Sequence, residues 1–320
     1  AQNIETAFWL ESDRMLSLAF SEKSLSVQRK VVCEEFREHY INKPYGDVWK
    51  QMRELAYTVH PYKWMTIGKE LSHVENALID DVKHFFFKHY RPINAILVVA
   101  GKVKTADIKQ LAQKWFGPIP MGDKYIRCLP QEPVQDQARR LTIEAAVPLD
   151  AFVKTWHMDA RLNKGYYTAD LITEILGGGA SSRLYQSLVK EQKLFSNLDC
   201  YHFGSLDAGL LTIEGKLVKG VDINKAEQAI SEQIALIQEQ PVSIAELTKV
   251  KNKTESVIAF EDMSIMSRAS SLAMYELMGD ASLMNTELEK YQEINPQDIV
   301  DYSKQIFRES NSNTLHYLAK

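Results

Sequence analysis

Twice along this chain a stretch of helical periodicity gives way to a short apolar run of strand character, at Ile93–Gly101 and again at Thr314–Ala319. Apolar residues spaced three and four apart call for a helix with one buried stripe, whereas a short apolar run bounded by breakers suits a buried strand. A chain that writes this order twice is constrained toward a duplicated α+β unit rather than one bundle or one sandwich. In the first half, helix patterns cover residues 4–18, 21–40, about 72–90 and 106–116, and Arg91-Pro92 stops the third. Pro118, Pro120, Pro130 and Pro133 then crowd one stretch, which reads as a linker, placed at 119–140 between a first domain, 1–118, and a second, 141–320. The second half offers strands at 141–146 and 152–158 and a helix at 166–176 ending in Gly177-Gly178-Gly179. A helix at 182–191, a strand pair at 197–203 and 209–217, and mostly helix from 223 to 307 complete it.

The totals exclude some classes. A net charge of −4 over 320 residues gives no basic excess for nucleic acid. The longest apolar runs, such as Ile93–Ala100 with Asn94 inside it, fall far short of the roughly 20 residues a membrane-spanning helix needs. Cys33, Cys128 and Cys200 are widely spaced with no C-x-x-C, so neither a disulfide framework nor a thiolate zinc site is indicated. The chain opens at Ala1 in an amphipathic pattern without a charged-then-apolar segment, which raises the expectation that something upstream has been removed.

The stretch VVCEEFRE, residues 31–38, sets two glutamates in a helical run. Val31, Val32 and Phe36 fall on one arc with Glu35 projecting between the valines, so Glu35 is expected to point inward and Glu34 outward. A carboxylate in apolar surroundings needs a hydrogen bond, a cation or a metal. His39, four residues on, could share a ligand face, or it stands as an ordinary helix-end histidine. His84 and His89 are five apart, about 140° around a helix, and do not grip one ion. No H-x-x-E-H, H-E-x-x-H or H-x-H occurs, no G-x-S-x-G is present, and the glycine triplet follows a helix, as a C-cap does.

Four ordered blocks nevertheless resemble one family: NIETAFWLESDRM (3–15), VQRKVVCEEFRE (27–38), HPYKWMTIGKELSHVENALIDDVKHFFFKHYRPINAILVVAG (60–101) and EILGGGASSRLYQSLVKE (174–191). Together they are similar to the pitrilysin and mitochondrial-processing-peptidase family, the inverted-motif zinc metallopeptidases. The resemblance implies an α+β chain of two homologous domains, each a mixed, largely antiparallel sheet packed with helices, the first truncated at its N-terminus. Members carry H-x-x-E-H on an early helix, two histidines binding zinc and the glutamate activating the bound water, and a glutamate on a later helix completes the site. The later pattern, basic-x-V-[VI]-x-x-E, falls on Arg29–Glu35 and selects Glu35 as the metal ligand.

The same resemblance marks what is missing: both histidine ligands and the catalytic glutamate, so no catalytic residue lies within this chain and the chain alone is expected to be inactive. Gln28 stands where members often carry a supporting glutamate, and Glu38 either lies behind the ligands or at a solvated helix end. In the second domain, the arginine and tyrosine with which members contact substrate backbone are replaced by Lys190 and Ser196. The implied function is part of a zinc-dependent endopeptidase for unfolded peptides, bound by addition to a sheet edge. A non-catalytic peptide-holding or structural partner subunit is the alternative. A homodimer or a heterodimer with a related subunit, in a bacterial cytoplasm or periplasm, completes the expectation.

Overall fold

The computed structural model describes residues 2–320. Its elements run α1 (Ile4–Leu16), α2 (Glu22–Phe36), α3 (Val48–Ala56), α4 (Leu71–Glu75), α5 (Ile79–His89), α6 (Thr105–Trp115), β1 (Arg139–Ala145), β2 (Ala151–Met158) and α7 (Lys164–Gly177). They continue with β3 (Phe195–Phe203), β4 (Gly209–Leu217), α8 (Ile223–Glu239), α9 (Ile244–Glu261), α10 (Ile265–Leu277), α11 (Glu287–Gln292), α12 (Pro296–Ile306) and β5 (Ser312–Ala319). The α+β class read from the sequence holds. Contacts divide the chain into two compact units that interleave in sequence. One comprises Ala1–Glu38, Thr66–Cys128 and Ile258–Asn285; the other comprises His39–Met65, Leu129–Val257 and Thr286–Lys320.

The second unit is built on a five-stranded sheet of order β1-β5-β2-β4-β3, in which β1 and β5 are parallel and the other neighbours antiparallel. Its central strand β2 is covered on both faces. Ala151 and Val153 pack in one cluster with Val48 and Met52 of α3 and with Leu315 and Tyr317 of β5. On the opposite face Trp156 meets Phe307 with ring centroids 4.9 Å apart, and Lys154 reaches Glu227 of α8 at 3.4 Å. This explains why β2 reads as an unbroken apolar run: a strand buried on both sides has no outward polar face to alternate with. Helix α3 was absent from the sequence reading, although Val48, Met52 and Ala56 stand at four-residue spacing and are 4%, 0% and 0% exposed. Asn295 caps α12 with a reciprocal box to Asp298 and Pro296 in the first turn, as the Asn-Pro pair suggested. The glycine triplet is a tight turn: a Cβ on Gly177 would strike the backbone of Cys200, and Gly179 adopts φ +92°.

In the first unit the expected buried strand at 93–101 does not form. Pro92–Asn94 make one 3₁₀ turn, no ladder follows, and Ile96 and Leu97 are 39% and 51% exposed. A strand is held by its neighbour's backbone and side chains; here only Ile93 and Asn94 bond to the 121–125 backbone, and among the described residues no strand pairs with 95–100. The expected helix over 72–90 is likewise two, α4 and α5, interrupted at Asn76–Leu78. The expected helix at 21–40 is α2 followed by a π-helical turn, Arg37–Ile41.

Within the second unit, one carboxylate fixes the segment after Leu129 to the turn before Pro61. Glu132 accepts from Thr58 N (2.6 Å), Thr58 Oγ1 (2.7 Å), Val59 N (3.0 Å) and His60 N (2.9 Å). Burial works against its charge, but these donors outweigh it and bring the carboxyl down to about 2. Because the folded value lies below the ordinary 4.5, the contribution to stability is complete above pH 4.5 and is lost as pH falls toward 2. Glu132→Ala is expected to cost about 1–3 kcal/mol in denaturant unfolding at neutral pH, with a cost that shrinks as the solution is acidified through that window.

Candidate functional site

Helix α2 starts from Ser21, whose hydroxyl accepts from Ser24 N in a reciprocal box. Its buried side holds Cys33 and Phe36, 4% and 5% exposed. Val27, Val31, Glu35 and Glu38 follow at spacings of four, four and three, so they share the other face. Val27 and Val31 are 52% and 53% exposed there, and Gln28, Glu35 and Glu38 are exposed beside them. The expectation that Glu35 points into the core is therefore overturned. The helix turns Cys33 and Phe36 inward, which rotates the Val31–Glu35 edge to the outside.

The two glutamates differ in their company. Glu34 accepts from Arg37 Nη1 at 2.5 Å, and Arg37 Nη2 reaches Glu75 at 2.9 Å. The Glu35, Glu38 and Gln28 side chains have no hydrogen bond or ion pair among the described residues. His39 does not complete a site with Glu35, for no group of three His, Cys, Asp or Glu side chains that could hold a metal occurs among the described residues. Lys190 lies exposed in the π-helical turn Tyr185–Glu191, its ammonium 5.6 Å from the Tyr185 ring centroid. Ser196 sits at the register shift of β3 between Phe195 and Asn197, and its hydroxyl donates to Lys216 O at 3.0 Å.

A charge cluster in the second unit escaped the sequence reading. Arg140 of β1 grips Glu227 through both terminal nitrogens, at 2.6 and 2.8 Å, and His316 Nε2 of β5 donates to the same carboxylate at 3.0 Å. Lys154, whose side chain is 5% exposed, lies 3.4 Å from Glu227 and 3.2 Å from Glu309. Burial opposes the Glu227 charge, but the His316 and Arg140 hydrogen bonds and the nearby cations hold its carboxyl well below the usual range. The signal was a lysine inside the apolar strand AFVKTWHM, which needs a buried counter-charge.

The family model described as the peptidase M16 inactive domain matches residues 77–254, more than half of the chain. The chain belongs to the peptidase M16 family. Among curated relatives, "Zinc protease PqqE" of Helicobacter pylori is 26% identical over 322 residues, spanning 98% of this chain and 71% of that protein. "Uncharacterized zinc protease YmxG" of Bacillus subtilis is 23% identical, spanning 93% and 71%. The crystal structure of a protease from Helicobacter pylori shares the fold with a TM-score of 0.91 at 24% identity, over 99% of this chain and 77% of that one. Set against these M16 relatives named as zinc proteases, the donor set here does not fit the metal by itself: an exposed carboxylate that belongs to no group of three ligating side chains among the described residues does not make the three-ligand site a catalytic zinc needs.

Proposed function

We propose that this chain is the portion of a zinc-dependent M16 endopeptidase that supplies the third metal ligand, Glu35, together with the second, peptide-enclosing domain. The H-x-x-E-H helix would come from polypeptide outside these 320 residues. The observation that carries the reading is the α2 face itself, where an unpaired carboxylate stands one turn beyond the exposed Val27 and Val31 on a helix whose other side is packed. Such a face is what a second helix would cover, burying Val27 and Val31 while bringing its ligands to Glu35. The unladdered apolar stretch at 95–100, in the same unit, supports the same reading, since it lacks a neighbouring strand. Gln28 and Glu38, on the Glu35 face, would hold the ligand shell by hydrogen bonds. Lys190 would present its ammonium to the substrate backbone, while Ser196, with its hydroxyl proton given to Lys216 O, would contribute little.

No helix among the described residues is long and apolar enough to cross a membrane, and an unfolded peptide remains the proposed ligand. The rival reading, a non-catalytic partner subunit, draws on Gln28, Lys190 and Ser196, which depart from the family's pattern, and an intact Glu35 weighs against it. A fluorogenic unfolded peptide separates them. The reading predicts no hydrolysis by this chain and zinc-dependent hydrolysis by the product of the complete open reading frame; hydrolysis by neither would leave the partner role. The chain alone should also bind a hydrophobic dye such as ANS strongly, and the complete product weakly, because the exposed apolar faces of the first unit would be covered.

A further inference from the structure

The five-stranded sheet of the second unit has two edges, and they differ. β3 opens with a register shift between Phe195 and Asn197, the kind of irregularity that blunts an edge. β1 instead pairs with β5 over its whole length, Arg139–Ala145, without a shift and without a proline. Ala145 O accepts from Lys320 N at 2.9 Å, so the backbone of Ala145 faces β5. Backbone groups turn to opposite edges at alternate residues of a strand, which sends the N–H and C=O groups of Arg140, Thr142 and Glu144 outward. None of these outward groups has a partner among the described residues.

The side chains alternate too. Leu141, Ile143 and Ala145 pack against the cluster of Val153 and Leu315, while Arg140, Thr142 and Glu144 are exposed. Arg140 holds Glu227 through its terminal nitrogens, and its Nε has no hydrogen bond among the described residues. Glu144 has only the exposed Lys320 nearby, at 3.9 Å. Arg140 and Glu144 stand two residues to either side of Thr142 with opposite charges, so the strand is complementary to itself run backwards. A two-fold axis through Thr142 sets Arg140 of each copy opposite Glu144 of the other, and Leu141 opposite Ile143. The same register satisfies the outward backbone: Thr142 against Thr142 and Arg140 against Glu144 become hydrogen-bonded pairs, each exchanging two bonds. Sliding one copy by two residues in either direction loses both ion pairs. We infer that β1 is a self-association edge, at which a second copy of this chain pairs antiparallel about Thr142 and joins the two sheets into one. Because β1 lies wholly in the second unit, this pairing is independent of the zinc site.

Sedimentation equilibrium of the full chain from about 1 to 200 μM spans the weak association expected of a small interface. The expected result is a monomer–dimer equilibrium. Thr142→Pro should weaken the dimer about tenfold or more, because it removes both bonds donated at the axis. The β1–β5 ladder keeps its bonds in that variant, since the Thr142 N–H points away from it. Glu144→Lys, which sets like charges opposite each other, should weaken the dimer as well. Cross-linking reads the register itself. Under mild oxidation, Thr142→Cys in a Cys128→Ser background should give a disulfide-linked dimer, the remaining cysteines being buried. Glu144→Cys in the same background should not, since its two copies would stand about 14 Å apart along the strands. A chain that stays monomeric throughout, or a dimer that neither Thr142→Pro nor Glu144→Lys weakens, would overturn the proposal. Cross-linking as ready through Glu144→Cys as through Thr142→Cys would overturn it too.

Discussion

In the product of the complete open reading frame, Glu35→Gln is expected to abolish tight zinc binding and to lower peptide hydrolysis more than ~100-fold. Loss of an outer-shell partner costs about 10–100-fold in affinity or activity, and loss of a ligand should exceed that. The fold should not register the change, because Glu35 is exposed and its side chain has no partner among the described residues to lose. Far-ultraviolet circular dichroism should therefore match the parent, and so should the urea midpoint when both proteins are measured free of zinc. Glu34→Gln is the matched control: that carboxylate is taken by Arg37 at 2.5 Å, so its removal should leave zinc content and hydrolysis unchanged. If the two variants behaved alike, the assignment of Glu35 over Glu34 would fall. The comparison is sharp because the residues are adjacent, of the same type and both outside the core.

The second large effect lies far from any proposed metal. Glu227→Ala should destabilise the protein by about 3–5 kcal/mol, because it strands Lys154 in the sheet layer with only the exposed Glu309 for company. Arg140 and His316 lose their acceptor at the same time. The cost is that of an uncompensated buried cation, so it should be largely recovered when Lys154 is made apolar as well. Lys154→Met on the Glu227→Ala background is expected to restore most of the urea midpoint, and on the parent background to destabilise by leaving Glu227 with fewer cations. Equal and additive losses in the double variant would mean that the two side chains are not energetically coupled.

Much of the architecture was legible because it rests on local chemistry. Asn295-Pro296 announces the start of α12, and the glycine triplet announces the end of α7. The strand pair expected at 197–203 and 209–217 forms at Phe195–Phe203 and Gly209–Leu217. The misreadings share one cause: periodicity reports which residues lie on one helix or strand face, but not which face is covered. Val31 and Glu35 were correctly placed together, yet Cys33 and Phe36 take the interior, and the shared face is outside. Residues 95–100 have strand composition but no strand beside them among the described residues. Helix α3 and the Glu227 cluster went unseen because each depends on a distant segment, α3 on β2 and β5, Glu227 on β1, β2 and β5. The resemblance selected Glu35 where geometry alone put it on the wrong side.

Glu35 has the proposed role only if it closes a zinc site whose other ligands lie elsewhere. The most direct test is zinc stoichiometry by atomic emission, on this 320-residue chain and on the product of the complete open reading frame, both after dialysis against a weak chelator. The expected result is about one zinc per subunit in the complete product and none retained by this chain, since three protein ligands are needed and it brings one. Zinc absent from both would contradict the peptidase reading and leave the non-catalytic partner in its place.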